Sequence, residues 1–263
     1  MIRQVLVDEI IRRFPDYLDP VAARGMHGVV RWELVGFEDE ADPFTLIVED
    51  GVIKVGRDLE AEPTVTLRLG VVSFLKLATG NGDPCTMALS GDLELDGDAW
   101  FALELLRLFR IPTEDGVVEL CSPSKVDVAA MARLVRELPE RRLRERLRGA
   151  VRQILLDEIF RRLPEYLNRG RSVGVDALVA WQITGRPDGG FDEYRTLIRG
   201  GVCTVGDLEG EPRVSIRTEP VVFFKLVTGN ASPALTYLKR RLSIRGDLYF
   251  ASRLPRIFAV PTG

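Results

Sequence analysis

Two pairs of adjacent carboxylates, Asp8-Glu9 and Asp157-Glu158, are the residues of this sequence whose types could perform acid–base chemistry. Each pair lies in an apolar pattern typical of an amphipathic helix. Adjacent positions on a helix point to different faces, so neither pair can act as a close general acid and base. We therefore interpret both pairs as parts of a solvated helix face, with Arg12 and Arg161 as nearby charge partners.

Other residues that could carry chemistry are few and scattered. His27 is the single histidine, which excludes a multi-histidine metal site and an ordinary Ser-His-Asp triad. The sequence contains no GxxxxGK(S/T) phosphate loop, no HExxH zinc motif and no GxSxG nucleophile motif. Cys85, Cys121 and Cys203 form no CxxC pair, which favours reduced thiols. The sequence therefore predicts no catalytic residue, no metal and no cofactor.

A basic segment spans residues 141–148, where arginines dominate. We favour a solvated helix whose long side chains extend along its surface. The alternative is transient attraction to an anionic membrane surface. Nucleic acid is not expected as a partner, because the formal net charge is −3 and no aromatic stacking platform accompanies the arginines.

Aromatic residues form the remaining candidate set. They could line a ligand cavity, or they could simply fill the core, which is the commoner role of any single aromatic residue. The residues alone leave both interpretations open for this set: Trp32, Phe44, Phe74, Trp100, Phe101 and Phe109.

An internal repeat with an offset of 149 residues organises the chain. Residues 3–18 match residues 152–167, and Trp32 matches Trp181. A period of more than about 100 residues indicates whole duplicated domains and not solenoid repeats. The sequence predicts a domain at 1–112, a helical linker at 113–148 and a second domain at 149–263.

Within each copy, the residue patterns predict an α+β domain. In the first copy, helical spacing predicts a helix over residues 3–18 that stops near Pro15, and Asp50-Gly51 predicts a hairpin turn. The order of elements predicts helices packed on one face of an antiparallel sheet. The expected strands are at 30–34, 44–48, 52–55, 64–68 and 88–95, and the further helices are at 71–79 and from Asp98 to Phe109.

Four motifs in a fixed order resemble a known family. They are Phe44-x-Leu46-x-Val48-x-Asp50-Gly51, Pro63-Thr64-Val65-Thr66-Leu67, Phe74-Leu75-Lys76-Leu77-x-x-Gly80 and Leu89-Ser90-Gly91-Asp92-Leu93-x-Leu95-x-Gly97-Asp98. Together they resemble the sterol carrier protein 2 (SCP2) domain, over about 20–112 and 170–261. The resemblance implies two copies of a five-stranded, mainly antiparallel sheet covered by helices, each with an apolar tunnel that binds sterols, fatty acyl chains or phospholipids.

The resemblance implies that the aromatic residues line a pocket between the sheet and the helices. In the first copy, period-two alternation places the strand residues on one face, and Phe101 and Leu105 share a helix face. Met87 would add a flexible wall. The predicted ligand-binding residues are Trp32, Phe44, Leu46, Phe74, Met87, Trp100, Phe101 and Leu105, together with Trp181, Tyr194, Phe223 and Phe250 of the second copy.

The second copy departs from the pattern at two places. Residues 239–241 are Lys-Arg-Arg where the first copy has Ser90-Gly91-Asp92, and Pro255 replaces Leu106. A proline inside a helix is expected to kink or shorten it. The second copy is therefore expected to be the poorer binder.

The function predicted from these patterns is non-catalytic binding or carrying of a lipid-like small molecule of the sterol, fatty acyl or isoprenoid class. One alternative is an isomerase or cyclase acting on an apolar metabolite in the same pocket. Another is an interaction module whose pockets are filled by side chains. No apolar run approaches the length of a membrane span and no signal-peptide core follows Met1, so a cytoplasmic location is expected. The sequence leaves the oligomeric state open.

Overall fold

A computed structural model describes residues 2–36, 41–113, 116–119 and 128–258. The chain divides into two compact units, Met1–Asp127 and Val128–Gly263. Each unit contains one copy of the repeat. Cys121 and the Ser-Pro-Ser stretch at the start of the predicted linker lie outside the described residues.

The first unit is a five-stranded sheet with helices, in the strand order β3-β2-β1-β4-β5. A two-stranded ribbon, β6-β7, follows it. The elements are α1 (Ile2–Tyr17), β1 (His27–Val35), β2 (Ala41–Glu49), β3 (Val52–Gly56), β4 (Val65–Gly70), α2 (Val71–Ala78), α3 (Pro84–Ser90), β5 (Leu93–Gly97), α4 (Ala99–Arg107), β6 (Arg110–Thr113) and β7 (Gly116–Glu119). The predicted α+β class and the five strands are confirmed.

The sheet is mixed and not wholly antiparallel. β1–β2, β2–β3 and β4–β5 pair antiparallel, whereas β1 and β4 pair parallel in the middle of the sheet. A parallel pair needs a crossover connection, and here the chain passes through the β2–β3 hairpin before it returns beside β1. The crossover places Trp32 between Phe44 on one side and Leu67 on the other.

The β2–β3 hairpin turns at the predicted dipeptide. Asp50 and Gly51 have φ angles of 47° and 84°, and their counterparts Gly200 and Gly201 have 58° and 79°. A two-residue turn with positive φ at both positions matches the right-handed twist of the strands, which is why Asp-Gly and Gly-Gly occur here.

The predicted strand over residues 88–95 is wrong in its first half. Residues Pro84–Ser90 form α3, and β5 begins only at Leu93. The Asp83 side chain accepts hydrogen bonds from the backbone N–H groups of Cys85 and Thr86, both at 3.1 Å, and Gly91 ends the helix with a φ of 91°. These two caps select a helix for an apolar run whose periodicity is compatible with either structure.

The second unit repeats the same sheet, in the order β10-β9-β8-β11-β12. Two helices from the predicted linker precede it and belong to this unit. The elements are α5 (Val128–Glu137), α6 (Glu140–Arg146), α7 (Gly149–Arg162), a 3-10 turn (Leu163–Tyr166), α8 (Arg169–Ser172), β8 (Asp176–Thr184), β9 (Phe191–Arg199), β10 (Val202–Val205), β11 (Val214–Thr218), α9 (Pro220–Val227), α10 (Pro233–Leu238), β12 (Leu242–Gly246) and α11 (Leu248–Ile257).

The repeat offset changes by one residue in the outer hairpin. Trp181 lies opposite Tyr194 as Trp32 lies opposite Phe44, so the offset is 149 for β8 and 150 for β9. It returns to 149 at β11, where Ile216 lies beside Trp181 as Leu67 lies beside Trp32. One extra residue before β9 is therefore compensated by one missing residue after β10.

Pro255 does not shorten the last helix. α11 spans Leu248–Ile257 with Pro255 inside it, ten residues against nine in α4. The next backbone N–H beyond the helix, that of Phe258, still bonds to the carbonyl of Leu254. The expectation that this proline truncates the helix is wrong, because Pro255 lies in the last turn, where little helix remains to be disrupted.

An ion-pair cluster fastens α6 to α9 and β12 within the second unit. The Glu140 carboxylate accepts from Lys225 Nζ at 2.8 Å and from the Arg241 guanidinium at 3.0 and 3.2 Å. Arg241 also donates to Glu219 at 2.5 Å, and Asn230 donates to the carbonyl of Ala132 at 2.8 Å. We call Glu140, Glu219, Lys225 and Arg241 the clamp. The clamp explains why the second copy has Arg241 at the position of Asp92 in the first copy: Arg241 binds two carboxylates there.

We expect Glu140→Gln to loosen α5 and α6 by about 1 kcal/mol, since partly exposed ion pairs are weak singly but add up in networks. Hydrogen bonds from Arg241 and then Lys225 lower the pKa of Glu140 from 4.5 to about 2. Its stabilising contribution is therefore complete above pH 4.5 and is lost as pH falls through about 2. Amide hydrogen exchange in α5 and α6 measures the effect.

The matched control is Glu145→Gln, because Glu145 pairs at 3.1 Å with Arg141 on its own helix and not with α9. Exchange in α5 and α6 should change little in this variant. Equal protection of these helices in the wild type and in Glu140→Gln would contradict the clamp.

Candidate functional site

One face of the first sheet carries nine buried apolar side chains along its central strands. Because side chains alternate across a strand, every second residue of β1, β2 and β4 points to this face. The layer between these nine side chains and the helices is the candidate site. They are Val30, Trp32 and Leu34, Phe44, Leu46 and Val48, and Val65, Leu67 and Leu69.

Three predicted site residues pack together at the centre of this layer. The Trp32 and Phe44 rings stack with centroids 5.6 Å apart and an interplanar angle of 5°. The Phe74 ring of α2 meets both edge-on, at 5.7 and 6.0 Å. Such edge-to-face contacts between aromatic rings are favourable.

Phe14 of α1 completes the cluster and is absent from the predicted site residues. Its ring centroid lies 6.0 to 6.1 Å from those of Trp32, Phe44 and Phe74, and 5.2 Å from that of Phe109. Phe14 was recognisable as part of the apolar face of a helix. Its place over Trp32 depends on how α1 docks, which local spacing does not reveal.

The α4 residues of the predicted site lie further along the layer. A methyl group on Gly28 of β1 would lie 2.4 Å from Cζ of Phe101, so the Phe101 ring rests on the bare backbone of Gly28. Leu105 is buried, while Trp100 and Phe101 are half-buried. The layer is therefore closed at Trp32 and partly open to solvent at Phe101.

Met87 of α3 and Leu46 of β2 are also buried, with 7% and 1% of their surfaces exposed. The Met87 side chain packs on Gly82, where a methyl group would lie 2.3 Å from its Cε atom. Leu46 lies two residues from Phe44 on the same strand face. The prediction that all eight residues surround one pocket remains a prediction.

The two tryptophans differ in their hydrogen bonding. Trp181 Nε1 donates to Thr196 Oγ1 at 3.0 Å. Trp32 Nε1 is buried and has no hydrogen-bond partner among the residues that the structure describes. With the offset of 150 in this hairpin, the residue that corresponds to Thr196 is Leu46, which offers no acceptor.

Polar groups enter the corresponding layer of the second unit. The Tyr194 ring stacks on Phe160 at 4.0 Å, and its hydroxyl donates to the Asp157 carboxylate. Arg152 is 4% exposed; it donates to Asp192 and, at 2.8 Å, to the carbonyls of Ile183 and Thr184. The interpretation of Asp157 as a solvated helix residue is therefore wrong, whereas Glu9 does pair with Arg12 and Arg13 on an exposed face.

Burial and a nearby carboxylate set the protonation of this polar group. Desolvation and the charge of Asp192 raise the pKa of Asp157, against the opposing effect of the Tyr194 hydrogen bond. Burial and the Asp157 carboxylate raise the pKa of Tyr194, which keeps its hydroxyl protonated as a donor.

The remaining predicted residues of the second unit pack as a core. Phe223 stacks on Phe160 at 5.3 Å and meets Trp181 edge-on at 6.1 Å. Phe250 is 1% exposed, and the Arg213 guanidinium lies 4.6 Å from its ring centroid. In this unit Ala177 stands at the position of Gly28, so a methyl group covers the strand backbone at this position.

The basic segment at 141–148 is partly neutralised within its unit. Arg144 lies 3.3 Å from Glu219, and Arg141 lies 3.1 Å from Glu145. These pairs are consistent with a solvated, salt-bridged helix. Contact with an anionic membrane surface stays a prediction.

Among residues 2–36, 41–113, 116–119 and 128–258, no cluster of three or more metal-ligating side chains occurs. No helix in these ranges is both long and apolar enough to cross a bilayer. Cys85 and Cys203 are buried. Burial raises the pKa of the Cys203 thiol to about 11, which makes this thiol a poor nucleophile at neutral pH.

Comparison with known proteins agrees with the duplicated fold. A family model for the SCP-2 sterol transfer family matches residues 7–110 and again residues 156–259. The chain belongs to this family. Its two SCP-2 repeats account for both five-stranded units, and membership of the family supports a role in binding an apolar, lipid-like molecule. A search of curated proteins found no significant match.

Solved structures resemble the chain one repeat at a time. Sterol carrier protein 2 from Yarrowia lipolytica is 15% identical, with 38% of this chain and 86% of that chain covered and a TM-score of 0.33. Sterol carrier protein 2 like 2 from Aedes aegypti is 23% identical, with 39% and 94% covered and a TM-score of 0.33.

The likeness extends to part of a larger protein. A double mutant of the sec-alkyl sulfatase PisA1 is 19% identical over 41% of this chain, with a TM-score of 0.33. The chain spans only 16% of the length of that sulfatase.

We expect Asp157→Asn to stabilise the second SCP-2 repeat at neutral pH while keeping an oxygen acceptor for the Tyr194 hydroxyl. The raised pKa of Asp157 means that the folded state binds this proton more tightly than the unfolded state, whose value is 3.8. The stabilising contribution of the protonated carboxyl is thus complete below pH 3.8 and is lost as pH rises through the folded pKa. Melting temperature against pH measures it.

Asp8→Asn in the first repeat is the control, because Asp8 is half exposed and pairs with Arg57 at 2.5 Å. Its effect should stay within the roughly 0–1 kcal/mol of a surface ion pair. An unchanged pH dependence of melting in Asp157→Asn would show that burial of this carboxyl has no energetic effect.

Proposed function

We propose that the protein binds a lipid-like apolar molecule of the sterol, fatty acyl or isoprenoid class in the layer between the sheet and the helices of the first unit. It would carry this molecule in the cytoplasm without a covalent step. The observation that carries the proposal is the apolar layer itself, which is buried at the Trp32 cluster and only half-buried at Trp100 and Phe101.

Burial of apolar surface supplies the driving force for such binding. Each Å² of ligand surface removed from water contributes about 25 cal/mol. A ligand that buries roughly 300 Å² would gain roughly 7 kcal/mol before the costs of ordering it. Such binding needs no polar groups, which fits the nine buried apolar strand residues on this face.

Three differences favour the first unit as the binder. The half-buried Phe101 ring lies directly on the backbone of Gly28, where the second unit has Ala177. The Arg213 guanidinium covers the ring of Phe250, the counterpart of Phe101. Hydrogen bonds within the second layer hold its aromatic side chains in place, as at Tyr194. A core whose aromatic side chains are fixed by hydrogen bonds adapts poorly to a guest molecule.

The test is Phe101→Trp, which adds bulk at the half-open end of the layer. We expect this variant to lose binding of a fluorescent polyene fatty acid and of a fluorescent sterol, while its melting temperature stays close to that of the wild type. Fluorescence titration and thermal melting on the same samples measure both properties.

Phe250→Trp is the matched control in the second unit. Because Phe250 is 1% exposed, the larger ring should overpack the core and cost about 1–3 kcal/mol, while probe binding persists. If the wild type binds neither probe and Phe101→Trp lowers stability instead, the layer is a solid core, and the interaction module is the better account.

A further inference from the structure

The indole N–H of Trp32 is a buried donor without a protein acceptor. Trp32 is 2% exposed, and its Nε1 atom has no hydrogen-bond partner among the described residues. Nearly all buried N–H groups in proteins are hydrogen-bonded. A buried donor left without a partner destabilises the folded state, so this exception requires an explanation.

The duplication supplies an internal reference for this group. In the second unit the corresponding N–H of Trp181 reaches Thr196 Oγ1 at 3.0 Å, and Thr196 is fully buried. In the first unit Leu46 replaces that threonine, and the Leu46 side chain is itself 1% exposed. The same tryptophan at the same place in the sheet thus has a built-in acceptor in one unit and none in the other.

We infer that Trp32 Nε1 donates a hydrogen bond to an oxygen atom of the bound molecule, so that the ligand is a long apolar molecule with one neutral polar end, such as an alcohol, ketone or ester. This inference rests on the proposed function, since it assumes that a ligand enters the layer. It adds that the layer selects its ligand by one polar contact.

The surroundings of the donor favour a neutral oxygen over an ionised carboxylate. The rings packed around Trp32 are those of Phe14, Phe44 and Phe74. Of the first-unit residues whose side-chain burial the structure describes, Thr45 is the only polar residue that is buried, and alternation places it on the opposite face from Phe44. An ionised carboxylate held against these uncharged rings would lose its hydration there without compensation from them.

The position of the donor also fits the direction of entry. Phe101 rests on Gly28, and Trp32 lies four residues further along β1, which is about 13 Å at 3.3 Å per residue. A ligand that enters past Phe101 with its polar end first would lay an apolar chain of this length along the strand before its oxygen reaches Trp32.

The experiment compares dodecanol with dodecane, which lacks only the hydroxyl group. Both are titrated into the wild type as competitors of a fluorescent sterol, and the 15N-labelled indole N–H of Trp32 is followed by NMR after assignment with Trp32→Phe. We expect dodecanol to bind about fivefold to tenfold more tightly, as one net hydrogen bond would provide. Only dodecanol should shift the Trp32 indole N–H resonance downfield.

Leu46→Thr is the decisive variant, because it gives Trp32 the acceptor that Trp181 has. We expect the ratio of dodecanol affinity to dodecane affinity, both measured in this variant, to fall to about one. Thr196→Leu in the second unit is the reciprocal control and should leave both affinities unchanged. If Leu46→Thr does not fold, the indole resonance of the wild type decides the question alone.

The outcomes separate the two proposals. Equal affinities for dodecanol and dodecane in the wild type, or an indole resonance that dodecanol does not move, would overturn the role of Trp32 and leave lipid binding intact. Failure of the wild type to bind the sterol, dodecanol and dodecane alike would overturn the proposed function, and with it this inference.

Discussion

The stacking of one indole on a ring of the neighbouring strand is the contact on which the first unit depends. Trp32 lies on β1, the strand that carries both an antiparallel neighbour and the parallel neighbour β4. Its ring meets Phe44 across the antiparallel pair and collects Phe14 and Phe74 from two helices. The Trp32 side chain therefore contributes both to the pairing of the strands and to the packing of the helices. A one-residue shift in the register of β1 would turn Trp32 away from these partners.

The two copies of the repeat fill the layer between sheet and helices with different side chains. The first keeps an apolar layer with a bare glycine under Phe101 and an indole N–H without an acceptor. The second introduces a threonine and a tyrosine whose polar groups are hydrogen-bonded within its layer. Buried polar networks rigidify a core when they are satisfied, which suits a structural role better than an adaptable one.

Local patterns were sufficient for the elements whose signals are local. Alternation identified the strand faces around Trp32, and Asp50-Gly51 identified the hairpin, because both depend on neighbouring residues alone. The helix at Pro84–Ser90 was missed since its caps, and not its periodicity, decide it. The place of Phe14, the burial of Asp157 and the free donor on Trp32 all depend on contacts across the fold. To recognise that Trp32 lacks the acceptor of Trp181, one must also know that the repeat offset is 150 at β9. With an offset of 149, Thr196 would not be aligned with Leu46.

The clamp has a practical consequence for dissecting the chain. The repeat alone suggests cutting near residue 149, yet α5 and α6 bury Met131, Val135 and Leu143 within the second unit. A fragment that begins at residue 149 would lack Glu140, leaving Lys225 without this partner, and would lack the apolar residues of both helices. The smallest piece expected to behave as an autonomous second repeat thus starts near Val128, some twenty residues before the homology does.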